Sequence, residues 1–211
     1  MKLDLTRLIQ YTILLKIAQS AREKNTFLLN VLELFCGRGG WSKPFLNNGH
    51  KCTGIDIKNF GYPGKFIQAD LMDYEPEDKF DVIFASPPCS EFSEVKRNCG
   101  HPYDERQGLD LVYRAFYLIK KLKPRWFILE NVKGLAEFIG EPNQKIRYGK
   151  SRKYAYLWTN IGNLGFFDYD FSDYKRDKLY HGKMSGWEAC KTGVRGEIPK
   201  TLANEIFKKI S

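Results

Sequence analysis

Five short apolar runs, each closing on polar residues or a loop, constrain this chain more than any other feature. They are "LLNVLELF" over 28–35, "KCTGIDI" over 51–57, "KFIQADL" over 65–71, "FDVIFA" over 80–85 and "RWFILEN" over 125–131. Each has the length and the β-branched and aromatic content of a strand. The segments between them are helical or loop-like. The clearest helix is 105–122, where Leu109, Val112, Tyr113, Phe116, Ile119 and Lys120 give a largely apolar face and Pro124 stops the pattern. Strands alternating with helical segments predict an α/β fold: an open, mostly parallel sheet with helices on both faces.

Polar residues fall at the ends of these runs: the glycines of 37–40, then Asp56, Asp70, Cys89 and Glu130. In an open α/β sheet, ligands bind outside the carboxyl ends of the strands. One rim therefore collects a glycine loop, three acids and a cysteine. "ELFCGRGGW" lets backbone approach a nucleotide-like ligand, but lacks the GK[ST] of a phosphate-cradling loop. Asp56 follows about 20 residues on, where nucleoside-binding folds place an acid on the ribose hydroxyls. Asp70 could accept from an adenine amino group or cap a helix. In "DVIFASPPCSEFSEV", the two prolines cannot continue a strand ladder, so Cys89 sits on a stiffened loop past a strand tip. The competing reading is a small buried cysteine beside a tight turn.

With 211 residues, 43% of them hydrophobic, the chain can build one soluble domain with a full core. Its net charge of +9, concentrated in the last third, favours a polyanionic partner; solvated lysine-rich faces are the alternative. The five cysteines include no CxxC pair, which argues against a disulfide framework or zinc ribbon and predicts a reducing, cytoplasmic setting with no metal. Near the N-terminus, Leu5, Leu8, Ile9, Thr12 and Leu15 recur at helical spacing. Residues 1–27 thus read as an amphipathic helix packed on the domain or used for self-association. "LIQYTILLKIAQSA", broken by Gln10 and Lys16, is too short to span a membrane. A weaker β region is expected from about 154 to 171. "IRYGKSRKYAYLWTN" interleaves basic and aromatic residues, as a nucleic-acid contact or a charged edge strand would. "IPKTLANEIFKKI" reads as a Pro-started helix within 197–211.

Taken together, "LELFCGRGG", "GIDI", "QADL", "SPPCSEFS" and "ILENVKGL", in this order and at these intervals, resemble the C5-cytosine DNA methyltransferase family, in particular its small phage-type members. The resemblance covers roughly 29–160. It implies a Rossmann-like class I methyltransferase fold, with a catalytic core over 28–164 that uses S-adenosylmethionine. By that resemblance Phe35, Cys36, Gly37, Gly39, Gly40 and Trp41 line the cofactor. Asp56 and Ile57 meet its ribose, Asp70 and Leu71 its adenine, and Pro87 completes the pocket; Ser86 helps shape the site.

The family's reaction gives each remaining residue a role. Cys89 adds to C6 of a flipped-out cytosine, because C5 is otherwise too weak a nucleophile. Glu130 hydrogen-bonds the base, and Arg152 is the basic neighbour by family pattern. Pro88, Ser90, Ser93, Lys96, Arg97, Asn131, Val132 and Lys153 contact substrate or duplex DNA. The segment after Cys89 is the loop that closes over the base.

The chain departs from the family in three places. Ser90 replaces the usual Gln. A Gly-x-x-Arg-Lys form stands where Gln-x-Arg-x-Arg is usual, and only 165–196 is available for target recognition. The reduced recognition segment leaves open an RNA or free-nucleotide substrate, a partner that supplies specificity, or an inactive DNA-binding relative. A restriction, protective or regulatory role is equally open.

Overall fold

The structure is a computed structural model. It describes residues 28–93, 104–148, 153–162, 164, 198 and 200–211. The expected N-terminal helix, Lys96, Arg97, Arg152 and all of 165–196 lie outside the described residues.

Seven strands form one sheet: β1 Asn30–Leu34, β2 Lys51–Asp56, β3 Lys65–Gln68, β4 Val82–Ala85, β5 Trp126–Asn131, β6 Gln144–Tyr148 and β7 Lys153–Thr159. Their spatial order is β3-β2-β1-β4-β5-β7-β6. The first five run parallel, and only β7 is reversed, pairing antiparallel with both β5 and β6. The order turns around between β1 and β4, which opens a crevice at their carboxyl ends. This is the Rossmann-like arrangement expected from the sequence.

Side chains alternate across the sheet, so each strand feeds two cores. Val31, Val82, Phe84 and Ile128 face one side. There they meet Trp41, Phe45 of α1 (Lys43–Asn47), and Leu202, Ala203 and Ile206 of α4 (Lys200–Ile210). Leu32, Leu34, Ile83, Ala85 and Leu129 face the other side, against Val112, Ala115, Leu118 and Ile119 of α2 (Glu105–Leu122). Helix α2 starts at Asp104, whose side chain accepts the Gln107 N–H, and ends in the left-handed Lys123 before Pro124. A short helix α3, Ala136–Ile139, follows β5.

Three expectations need correction. The buried face of α2 is Gly108, Val112, Ala115, Leu118 and Ile119, while Tyr113 and Lys120 point outward. The third run is strand only to Gln68; a turn then places Leu71 in the core. The β region after 153 ends at Thr159, and its partner β6 lies upstream of it. The stretches 57–64 and 69–81 carry turns and no helix. On the α1 side of the sheet α4 packs beside α1, its Phe207 ring meeting Phe45 edge-on at 5.1 Å, while Leu71 and Phe80 of 69–81 join the core on the α2 side.

Candidate active site

The loop after β1 is tightly wound. Phe35, Gly37 and Gly39 take φ of 56°, 50° and 75°. A left-handed phenylalanine costs on the order of 1 kcal/mol, so the surroundings must hold it there. The Cys36 N–H donates to the Ile55 carbonyl at 3.1 Å, and the Gly37 N–H donates to Asp56 Oδ2 at 3.0 Å. Asp56, buried at the tip of β2, thereby ties the loop to the neighbouring strand. No atom lies within 4 Å of where a Gly37 side chain would begin. The loop therefore leaves room beside Gly37, itself buried, at the sheet's carboxyl edge. Ile57, 62% exposed, follows Asp56 directly.

Glu33 anchors the far end of this loop. It sits inside β1 among apolar neighbours and is buried. Its carboxylate accepts the Trp41 N–H at 3.3 Å, the Ser42 N–H at 3.0 Å and the Ser42 hydroxyl at 2.5 Å. The Tyr62 hydroxyl donates to Ser42 Oγ at 2.7 Å and completes a buried polar chain. Burial pushes the Glu33 carboxyl from its ordinary 4.5 up to about 7, against the opposing pull of these donors. A folded carboxyl that holds its proton more tightly than the unfolded one stabilises the fold at low pH. That contribution is lost as pH rises through the folded value. Stability attributable to Glu33 should thus fall by about 3 kcal/mol between pH 4.5 and pH 8. Urea melts of wild type and Glu33→Gln across this range read it as the difference between the two slopes; parallel slopes would contradict it.

The loop after β4 is fixed from below. Pro87 is buried, and its carbonyl accepts the Asn131 side-chain amide at 3.1 Å. Phe92, in the 3-10 turn Ser90–Phe92, is fully buried and packs on Phe138 at 5.6 Å. A side chain at Gly134 would begin 2.1 Å from the Phe92 carbonyl oxygen, so only glycine allows this approach. "ENVKGL" therefore clamps "SPPCSEF". Cys89, held between these two anchors, is exposed, while Cys36 and Cys52 are buried. The buried-cysteine reading of the Pro-Pro-Cys stretch is thus wrong. The Cys89 backbone has φ −95° and ψ 0°, the sparsely populated bridge region in which many active-site residues sit.

Glu130 lies on β5, the strand next to β4, paired in register with Leu157. Burial pushes its carboxyl from 4.5 up to about 7, with the Ser86 side chain pulling weakly the other way. Trp41 stacks on Phe84, with ring centroids 5.1 Å apart and planes 5° apart, and its Nε1–H donates to Ser86 Oγ at 3.2 Å. The glycine loop and the start of the Cys89 loop are thus joined through Trp41 and Ser86.

Other predicted residues have a different place. Asn131 is buried, with its amide donating to the Pro87 carbonyl and its own oxygen accepting the Val132 N–H, so it holds the loop. The Cys36 and Leu71 side chains belong to the core. Asp70 is exposed and caps its own turn by accepting the Met72 N–H at 2.9 Å, with no helix following. The half-buried Ser90 donates to Glu91 at 2.9 Å. Ser93 and Pro88 are half-buried on the same loop, Gly40 is half-buried on the glycine loop, and Lys153 opens β7 opposite Tyr148. The sequence reading missed Glu33, Ser42 and Tyr62. Its one available signal was a carboxylate inside the apolar run "NVLEL".

Comparison with known proteins accords with this arrangement. The sequence model of the C-5 cytosine-specific DNA methylase family matches residues 29–148. A Frog virus 3 (isolate Goorha) protein named "Probable DNA (cytosine-5)-methyltransferase" is 31% identical over 153 residues, covering 63% of this chain and 71% of its own. The type II methyltransferase M.HpaII of Haemophilus parainfluenzae is 33% identical over 126 residues, covering 54% of this chain and 33% of its own. M.NlaIV of Neisseria lactamica is 28% identical over 120 residues, covering 56% and 27%. The chain therefore spans a third or less of these bacterial relatives. The matched stretch contains the glycine loop, the Cys89 loop and Glu130, and on this basis the chain belongs to the C-5 cytosine-specific DNA methylase family.

Proposed function

We propose that this protein is a DNA (cytosine-5)-methyltransferase that uses S-adenosylmethionine and works through a covalent cysteine adduct on a flipped-out base. The observation that carries the reading is the exposed Cys89, clamped at the tip of β4, with Glu130 on the adjacent strand and the glycine loop beside both.

The glycine loop fits an adenosine-type cofactor. Gly37 leaves space beside its backbone, the Asp56 carboxylate at the next strand tip suits ribose hydroxyls, and the exposed Ile57 offers an apolar surface to a base. S-adenosylmethionine, when bound, supplies the methyl group that cytosine C5 takes up. Asp70, Leu71 and Pro87 would complete the pocket.

The chain's own residues prepare the base. The Cys89 thiolate forms a bond to C6, and the electron pair of the C5–C6 double bond moves toward C5 and N3. Glu130, whose carboxyl burial raises to about 7, in its protonated form donates to N3 and accepts from the N4 amino group, which offsets the charge that develops. After C5 is substituted, its proton passes to a base or water. The electron pair re-forms the double bond as the thiolate leaves. Arg152, assigned by family pattern, would favour the ionised thiol. The target base must leave the stack to reach Cys89, and the net charge of +9 suits a polyanionic duplex.

Methyl-tritiated S-adenosylmethionine incubated with duplex DNA, tRNA and dCMP tests the reading. Label is expected in DNA cytosine. Label confined to tRNA or dCMP would overturn the substrate assignment.

A further inference from the structure

We infer that the β6–β7 ribbon is an arm that grips the backbone of duplex DNA, with Lys145 on a phosphate and Tyr154 on an adjoining sugar or base face. The inference rests on the reading of DNA as the substrate and adds where, outside the catalytic loops, the duplex is held.

The register makes the arm. The ladder between β5 and β7 ends at the pair Asn131 and Tyr156. β6 and β7 go on pairing past that point, through Ile146 with Ala155 and Arg147 with Tyr154 to Tyr148 with Lys153. The ribbon therefore runs beyond the carboxyl end of β5, at the rim where the Cys89 loop leaves β4. Tyr156 stands opposite Asn131, whose amide holds Pro87 just before Cys89. β6 is the outer strand of the sheet. One face of the ribbon is anchored, because Ile146 and Ala155 are buried in the core on the α1 side.

The opposite face carries a cation on two rings. Lys145 Nζ lies 4.3 Å from the centre of the Tyr154 ring and 5.6 Å from that of Tyr156, and the rings are 6.2 Å apart. Lys145 and Tyr154 are exposed, and Tyr156 is half-buried. Ring faces attract an ammonium without neutralising it, so its N–H donors remain available to an anion. Among the described residues no carboxylate pairs with Lys145. Held on the rings, the lysine gives up less rotamer freedom when it meets a phosphate. The two strands carry Lys145, Arg147 and Lys153 and no Asp or Glu. Charge alone would protect an edge strand; the exposed tyrosine ring under the lysine is what a bare edge does not need. A cationic two-stranded ribbon with an exposed ring suits a polyanion whose sugars and bases offer stacking faces. Backbone contacts of this kind position a duplex without reading its sequence.

The test measures binding of the full chain to dye-labelled DNA duplexes of two unrelated sequences, and to an RNA duplex, between about 50 and 200 mM salt. KM for DNA and kcat are measured alongside. Lys145→Gln should weaken binding roughly fivefold on both DNA sequences and make the slope of log affinity against log salt shallower by about one. Tyr154→Ala should weaken binding by a similar factor with the slope kept, and Tyr154→Phe, which keeps the ring, should restore it. Both losses should fall on KM for DNA rather than on kcat. Lys51→Gln removes the same charge from the exposed start of β2, at the opposite rim, and should leave the slope unchanged. Wild-type affinity in Lys145→Gln and Tyr154→Ala overturns the proposal. So does an equal change of slope in Lys51→Gln, which would assign the effect to net charge, and so do losses confined to the RNA duplex. Binding needs no turnover. If the variants lose affinity for DNA while cytosine is never methylated, it is the functional reading that has failed; if cytosine is methylated and the variants bind as wild type, it is the arm.

Discussion

Replacing Cys89 with alanine should reduce methyl transfer to cytosine by about 10⁴-fold or more, the scale seen when a covalent nucleophile is removed. The expectation follows from the geometry of the loop. Asn131 holds the Pro87 carbonyl on one side, and Phe92 is locked against Gly134 on the other. Both anchors act through groups other than the Cys89 side chain. The variant should therefore fold, hold S-adenosylmethionine and bind DNA as wild type does. Methyl-transfer rates beside cofactor binding by calorimetry separate the two consequences. Residual turnover within tenfold of wild type would remove Cys89 from the chemistry.

Glu130→Gln should lower kcat by about 10²- to 10⁴-fold, the range for losing a positioned general acid. The amide can still occupy the space but cannot pass a proton to N3. Its pH behaviour is more diagnostic than its rate. On the proposed mechanism, turnover in wild type needs Glu130 protonated and Cys89 ionised together, so the rate should fall at high pH as the Glu130 proton is lost. Burial raises that carboxyl to about 7, which keeps a substantial protonated fraction near neutrality. In the glutamine variant the side chain is neutral at every pH. Its residual rate should climb with the Cys89 thiolate and then level off. An unchanged alkaline fall would assign that limb to another group.

The central strands were legible because their apolar runs are continuous, and such runs suit strands buried on both faces. β6 was not, because in "QKIRY" Ile146 is the one of its described side chains that enters the core, and a polar edge strand leaves no run to read. The face of α2 was misjudged at Tyr113 and Lys120, which lie exposed on the outer face. The true contact uses small residues, Gly108 and Ala115, that hydrophobicity underweights. Cys89 and Glu130 could be read because strand tips place reactive groups at the crevice of a parallel sheet. The structural role of Asn131 was not legible: that its amide holds the Pro87 carbonyl, 44 residues away in the chain, exists only after folding. The Glu33–Ser42–Tyr62 chain joins a strand, a loop end and the β2–β3 connection, a juxtaposition that exists only after folding.

The most direct measurement is covalent trapping. The protein is incubated with S-adenosylmethionine and DNA whose target cytosines carry fluorine at C5, then run on a denaturing gel. Fluorine cannot leave as a proton does, so elimination stops and the enzyme stays attached through Cys89. The account predicts a shifted band that requires cofactor and is absent in Cys89→Ala. No band on DNA of varied sequence, or a band that survives in Cys89→Ala, would contradict it.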